Sequence, residues 1–365
     1  MHVRKGGLPV LGVVIVFFGG VASAQSVAQS RLFGTVLEYP TSGCGGAVVQ
    51  TPLPGKQFVS TLDSTRAPAA AKLFFAQAAA RHVTWATSLK CVHTGRTHVL
   101  VPAPVATSDR FRSTAVANGY NSSNWSGYQI SNTAQYTQAG WTVPAVAQPL
   151  YRPYSPIGYY SSIWSGMGGG VGATGTGPLI QSGSEQLVQE NGSSRYYFWY
   201  EIVGGPTDTS SEMEITSMDV QAGDYVGNVA IWTPDVPNSS TGTVQLGVCN
   251  FTRTTNGNTC VSFIIGGTPQ PGESTEWIVE APSSSIGVLP LADFGNEHLG
   301  AATWASTYIG QGSTGYTIAQ GDSPTSITLQ QTECFNECYD IFSVPGPLDS
   351  DGSGFTTTFM QVRHF

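Results

Sequence analysis

No lysine follows Lys90 in this chain of 365 residues, and Asp, Glu, Lys and Arg together supply only 10% of it. So little charge excludes a coiled coil and a chain kept disordered by its own repulsion. The few basic residues are also unevenly placed. Residues 25–116 hold nine Lys and Arg against three Asp and Glu, a formal +6; residues 117–365 hold four Arg against twenty Asp and Glu, a formal −16. A segment at −16 excludes nucleic acid and an anionic membrane as partners. It also suits work in acid, because few positive charges remain to repel one another once the carboxylates are protonated. Past the N-terminus no apolar run is long enough to span a bilayer. Histidine is scarce: only His298 and His364 lie after residue 117, so a Ser-His-Asp triad has almost nothing to draw on. Asp-Thr-Gly and Asp-Ser-Gly triplets are missing, which excludes the paired aspartates of pepsin-like enzymes, and the Gly-Thr-Ser motif of sedolisins is missing too. No Cys or His spacing matches a zinc site, so neither metal nor cofactor is expected.

The first 24 residues read as an export signal. Arg4 and Lys5 precede an apolar run from about Leu8 to Phe18, and Ala22-Ser23-Ala24 offers a small-x-small cleavage site. A secreted, extracellular protein is expected. Six cysteines in an exported chain suggest three disulfides. Sequence proximity suggests Cys44–Cys91, Cys249–Cys260 and Cys334–Cys338, although six cysteines allow 15 pairings. For Cys249–Cys260 the turn signal Asn256-Gly257 lies off the hairpin centre, so a longer or bulged loop is expected rather than a two-residue turn.

Residues 25–116 form a small mixed segment, with a helix expected over the Ala-rich stretch 67–80 and a linker from Pro102 to Ser113. Its charge is opposite to that of residues 117–365, which reads as an intramolecular clamp: a pro-segment inhibiting its own chain. An N-terminal domain that stays attached is the other reading. From residue 117 onward short runs alternate apolar and polar, from Ser126–Ile130 to Thr357–Val362, with turn residues between. A dozen such strands without helical periodicity predict an all-β, jelly-roll β-sandwich. Gly177–Val203 reads as two strands about an Asn191-Gly192 turn. It places Gln181 and Glu185 on one strand face, and Glu201 with Trp199 on the other strand, where apolar residues would be ordinary. Either these polar groups meet solvent or they line a cleft. A second candidate is Glu280, at the end of the apolar strand Glu276–Glu280 and before a Pro-stopped turn.

Seven pieces in order resemble one family, the glutamic peptidases or eqolisins: Asn124-Trp125-Ser126-Gly127, Trp141-Thr142-Val143-Pro144, Trp164-Ser165-Gly166, Ile180-Gln181-Ser182-Gly183, Trp199-Tyr200-Glu201, Glu276–Glu280 and Pro290–Phe294. The resemblance covers about Asn124 to Phe365. It implies a concanavalin-like sandwich and a pepstatin-insensitive acid endopeptidase acting on polypeptides. It also implies a catalytic pair, with Glu280 as general base and Gln181 as oxyanion donor. Trp125 and Trp164 would wall the cleft, Glu201 would orient it or contact substrate, and Glu185 would support it. The sequence departs from the family's fungal members at Gly168, four residues after Trp164, where they carry an acidic residue, and at Glu185, where they carry Asp. Two other readings stay open on the residues themselves. A jelly-roll glycoside hydrolase could use Glu201 and Glu280, and a lectin-like module would need neither Gln181 nor Glu280. A monomer is expected. For activation, acid is expected to neutralise the carboxylates and to charge His82, His93 and His98, weakening the clamp.

Overall fold

The computed structural model describes residues 26–30, 34–39, 41–52, 78, 81, 83–103, 119–150, 155–170, 177–305, 315–334 and 338–363. The export signal, the Ala-rich helix apart from Ala78, His82 and the linker beyond Ala103 lie outside the described residues. A single ladder of 20 strands folds over into two layers. In the front layer, from one edge to the other, stand β4 (Cys91–His93), β12 (Met213–Ile215), β11 (Ser194–Val203), β10 (Leu179–Val188), β9 (Tyr159–Met167), β16 (Thr275–Glu280), β7 (Trp125–Ile130), β21 (Thr325–Cys334) and β22 (Cys338–Leu348). β6 (Tyr120–Ser122) adds to β21 in parallel. β22 then pairs with β23 (Phe355–Arg363), which leads into the back layer. That layer runs β19 (Asn296–Ala305), β8 (Tyr136–Thr142), β13 (Tyr225–Pro234), β14 (Thr241–Asn250), β15 (Cys260–Pro269), β3 (Val48–Pro52), β2 (Gly34–Tyr39) and β1 (Ser26–Ser30). β20 (Tyr316–Thr317) pairs with β19. A separate small sheet joins β5 (Arg96–Thr97), β17 (Ser283–Ser284) and β18 (Gly287–Val288). This is the all-β jelly-roll sandwich expected of the sequence.

Period-2 alternation sorts each front strand into two faces. One face meets the back layer, and there Phe198, Tyr200, Met213, Trp277 and Val279 pack with Trp141, Trp232 and Leu246 in one buried cluster. Each such large side chain contributes roughly 2–3 kcal/mol when fully buried. The inward face of β10 is small instead, with Ser182 and Ser184. That leaves room for the Trp141 indole, whose Nε1 donates to Ser184 Oγ at 2.9 Å. Asn228 of β13 fills the neighbouring gap, donating to the Ser182 carbonyl at 2.5 Å and accepting from Ser165 Oγ at 3.0 Å. The second cluster lies on the outward face: Trp125, Trp164, Trp199, Tyr197, Ile278 and Leu179, with Leu100 packed against it.

The first part of the chain is built into both layers. β3 extends the back sheet at β15, β4 extends the front sheet at β12, and the Cys44–Cys91 disulfide ties the two extensions. Cys249 and Cys260 are also bonded and face each other in register. The loop between them is long, and Asn256-Gly257 forms its own turn closed by the Thr255–Asn258 bridge. Cys338 is disulfide-bonded, and its backbone pairs with that of Cys334. Six strands after residue 117 fall outside the alternating runs: β6, β12, β17, β18, β20 and β22. The first five have only two or three residues each, and β22 carries Pro345, Gly346 and Pro347, which hide its period at a bulge. The strand expected at 302–309 begins at Asn296, because a bulge around Ala301 (φ 50°) breaks its alternation.

Candidate active site

The outward face of the front sheet carries the polar residues singled out above. Register puts Trp125 beside Glu280 across β7 and β16, Glu280 beside Ser162 across β16 and β9, and Ser162 beside Glu185 on β10. Gln181 stands two pleat repeats before Glu185 on the same face, paired with Glu201 of β11. Gly183 lies between Gln181 and Glu185 because nothing larger fits. A Cβ there would sit 2.2 Å from the Ile163 carbonyl oxygen and 2.6 Å from Trp164 Cβ. The Trp164 side chain therefore lies over the sheet between the two polar rows. Its ring meets Trp125 edge-on, centroids 4.9 Å apart, and its Nε1 donates to Glu280 Oε2 at 2.8 Å. Glu280 Oε1 accepts from Asn124 Nδ2 at 2.9 Å.

The centre of this face is filled by His98. Its ring stacks on Trp199 with centroids 3.8 Å apart and planes 5° from parallel. Nδ1 lies 3.0 Å from Glu280 Oε2 and Nε2 lies 2.7 Å from Glu212 Oε2. Both ring nitrogens face carboxylates, so both donate and the ring is an imidazolium. The His98 N–H donates to Glu201 Oε2 at 2.8 Å, and Gln181 Nε2 donates to the His98 carbonyl at 2.8 Å. Gln181 Nε2 also donates to Glu201 Oε2 at 3.1 Å. Gln181 and Glu280 thus share one residue. The backbone on either side is held as well. Asn124 donates to the Val99 carbonyl at 2.7 Å and accepts from the Val101 N–H at 2.8 Å, and the Glu212 N–H donates to the Arg96 carbonyl at 2.7 Å. Gln181, Glu185, Glu212, Glu280 and His98 are all 0% exposed, and Glu201 is 1% exposed.

The profile of the Peptidase A4 family matches residues 123–336. The chain belongs to this family, the glutamic peptidases. It is therefore a glutamic endopeptidase, a hydrolase of peptide bonds, rather than a glycoside hydrolase or a lectin. No curated protein matches the sequence closely enough to count as a relative. The matched span opens at Ser123 and so includes Asn124, Trp125, Trp164, Gln181, Glu185, Glu201, Glu212 and Glu280, whereas His98 lies before it.

Burial and charge set the protonation of this glutamic peptidase's cleft. Burial would lower His98, but the Glu280 and Glu212 carboxylates outweigh it and hold the ring well above its ordinary 6.5. Burial likewise works against Glu212 as an anion, yet the His98 hydrogen bond and the Arg96 charge keep it below the ordinary 4.5. Burial wins at the other carboxyls. It pushes Glu201 up to about 7 against the pull of His98, and raises Glu280 above 4.5 against the same pull. It raises Glu185 well above that value, with the Glu212 charge adding to it.

These values reverse the expected role of one histidine. Charging His98 tightens its grip on Glu280 and Glu212, the reverse of the weakening expected of it. The expectation rested on the net charge of the two segments, whereas the His98 ring nitrogens face carboxylates. His93 meets Ser211.

Glu185 touches neither Gln181 nor Glu280 and lies instead beside Glu212 and His98. Oxygen and nitrogen atoms of these three come within 4.8 Å of one another, the single grouping of metal-ligand type among the described residues. A metal there would have to displace the His98–Glu212 contact. Gly168 adopts φ +93°, and a Cβ would lie 2.4 Å from the Pro178 carbonyl oxygen, so the acidic side chain of the fungal members has no place on this backbone. Glu212 and Asn124 are site residues that sequence reasoning did not assign. Asn124 was part of a quoted motif. Glu212 had one signal, the alternation Glu212, Met213, Glu214, Ile215, too short to count as a strand. His298 pairs with Asp349 at 2.8 Å on the back layer, far from this chemistry.

Proposed function

We propose that this glutamic peptidase is a secreted, pepstatin-insensitive acid endopeptidase made as a zymogen, with Gln181 and Glu280 as its catalytic pair and residues 25–116 as its inhibitory pro-segment. One observation carries the reading: the His98 carbonyl accepts the Gln181 amide hydrogen bond while the His98 ring occupies Glu280. A scissile carbonyl would take the place of the first, and an attacking water the place of the second.

In the open cleft the Glu280 carboxylate, held by Asn124 and Trp164, takes a proton from water, and the resulting hydroxide attacks the carbonyl carbon. Negative charge gathers on the carbonyl oxygen, where the Gln181 N–H is already aimed. Protonated Glu280 then gives its proton to the leaving amine as the C–N bond breaks. Trp125 and Trp164 wall the cleft, and Glu201 orients Gln181 through the 3.1 Å contact. Pepstatin insensitivity follows from pairing a carboxyl with an amide, where pepsin-like enzymes pair two carboxyls. In the zymogen the ion pair removes the base and leaves no room for water, so the His98–Val99 bond stays intact.

The test is acidification of the purified full chain from pH 7 to about pH 3.5, near the reference carboxylate values. Intact mass and cleavage of a denatured protein would be followed with pepstatin present. Proteolysis with loss of roughly the first 115 residues, absent in Glu280→Gln and Gln181→Ala, supports the reading. Unchanged proteolysis in either variant refutes the pair.

A further inference from the structure

The pro-segment meets the rest of the chain in two unlike ways. Residues 94–103 cross the cleft as a strap. His98 alone is buried among them, and carboxyl groups hold it: Glu201 takes its N–H, and Glu280 and Glu212 take its ring. Residues 41–52 and 84–91 instead close the open side of the sandwich, between β12 of the front layer and β15 of the back layer. β4 pairs with the first and β3 with the second, and the Cys44–Cys91 disulfide joins the two. Cys44, Ala47, Val49, Ala86 and Leu89 lie in the same buried cluster as Tyr200, Met213, Phe263 and Ile265. The Tyr200 hydroxyl donates to the Cys44 carbonyl at 2.9 Å. The Ala86 N–H donates to the Cys260 carbonyl at 2.8 Å, the Cys260 N–H to the Thr84 carbonyl at 3.1 Å, and the Thr216 N–H to the Lys90 carbonyl at 2.8 Å. Val36 and Ala78 pack with Val229, Ile231 and Tyr136, and Val83 and Trp85 lie against them.

Charge divides the two regions. Lys90, exposed, is the one charged side chain in residues 41–52 and 84–91. Among the described residues no ion pair joins these stretches to the sandwich. The titratable groups nearby are engaged elsewhere. Glu214, opposite Val92, pairs with Arg195, and Asp208 accepts from the Gly204 and Ser210 N–H groups. Glu38 accepts from Gln50 within the pro-segment, His93 meets Ser211, and Arg81 lies over the Tyr225 and Phe251 rings. Acid can therefore protonate what holds the strap, while apolar packing and backbone hydrogen bonds hold the rest.

We infer that residues 41–52 and 84–91 are a lasting side wall of the enzyme, which stays seated on the edges of β12 and β15 after cleavage while only the strap leaves the cleft. This rests on the reading of residues 25–116 as a pro-segment that acid displaces from Gln181 and Glu280. Loss of the side wall would open both sheet edges and bare the core at Tyr200 and Phe263, and free edges and apolar faces are what folded proteins keep covered.

The experiment processes the full chain at about pH 3.5, near the reference carboxylate values, and follows it by gel filtration and native mass spectrometry without denaturant. A fragment containing residues 41–91 should stay with the active sandwich one to one and separate from it only in denaturant. In Val49→Ala, which hollows the shared core, the dissociation constant read by dilution should rise about tenfold. Hydrogen exchange on full-length Glu280→Gln at the same pH needs no cleavage. There residues 96–101 should exchange at least about tenfold faster than residues 47–50 and 84–86. Active enzyme that elutes free of the fragment overturns the side wall and leaves the catalytic pair standing, and so does equal exchange of the two regions. Unchanged retention in Val49→Ala overturns the assignment of the hold to the core. Wild type that acid does not cut counts against the pro-segment reading, and exchange on the uncut chain still decides the side wall.

Discussion

Two carboxyl groups lie four residues apart on β16, on the same face and equally buried, and they differ in almost everything else. Glu280 is wired to donors: Asn124, the Trp164 indole and the imidazolium of His98. Glu276 lies level with Gly166 and Gln181, beside Gly170, Gln129 and Ser274. Burial raises Glu276 well above 4.5, and contacts to Ser274 and Gly170 do not offset it. The same residue type on the same strand is thus raised at both ends, modestly where donors oppose burial and strongly where they do not. The difference comes from which neighbours can donate, since desolvation is complete at both.

The sharpest way to break this contrast is substitution at its two ends. Glu280→Gln should lower kcat by about 10³-fold or more, near the upper end of general-base effects, with KM little changed in a single-turnover assay. Gln181→Ala should cost roughly 10²–10³-fold, the usual loss of an oxyanion donor. If Glu276→Gln proved as damaging as Glu280→Gln, the level pairing of Gln181 with Glu276 would mark the working pair, and the contrast would be reversed.

The third prediction concerns pH. A raised His98 favours the closed form at low pH, and stability from it is lost only as pH rises through its elevated value. Raised Glu201 and Glu280 act in the same direction, because the closed cleft binds their protons more tightly. Glu212 alone is depressed, so its contribution is present above 4.5 and lost as pH falls below it. Acid activation should therefore have its midpoint below pH 4.5 and not near the histidine value of 6.5. Glu212→Gln should remove that acid-dependent step. His98→Gln, which leaves neither carboxylate a cation, should weaken inhibition by about 100-fold, in line with roughly 3 kcal/mol for breaking a buried pair. Processing time courses between pH 3 and 7 would read both. Salt at 1 M should shift the midpoint little, because buried pairs are poorly screened.

The smallest effect belongs to the neutral end. Glu276→Gln replaces a protonated carboxyl by an amide of similar shape, so activity should stay within about threefold and stability at pH 4 within about 1 kcal/mol. At pH 7 the wild-type residue is drawn toward ionisation in a dry site, so the variant should melt about 2 °C or more higher. Scanning calorimetry at the two pH values checks this, and equal shifts at both would show that Glu276 is not held neutral.

Much of the fold was legible because β-strands announce themselves through alternation. Trp125–Ile130, Leu179–Val188, Ser194–Val203 and Thr275–Glu280 carry dense aromatic and β-branched residues, and their expected limits lie within a few residues of those found. β22 and the start of β19 were hidden by bulges, where one extra residue shifts the phase of the pattern. Gln181, Glu201 and Glu280 stood out because polar residues interrupt otherwise apolar strand faces. Glu212 did not, because three residues of strand give no period to interrupt.

The sequence by itself determined the class of fold, the opposite charge of the two parts, and the family through motifs placed in order; it suggested the pairing of Cys44 with Cys91 and of Cys249 with Cys260, which the structure decided. Which cation meets which carboxylate was decided only by the tertiary structure. Net charge states that a +6 segment and a −16 segment attract, but attraction is long-ranged and names no partner. Strand register, the stack on Trp199 and the exclusion of water choose His98 from all the basic residues and set it between Glu280 and Glu212. Those short-range contacts also fix the direction in which pH acts, because a proton on His98 strengthens them and a proton on Glu212 removes one.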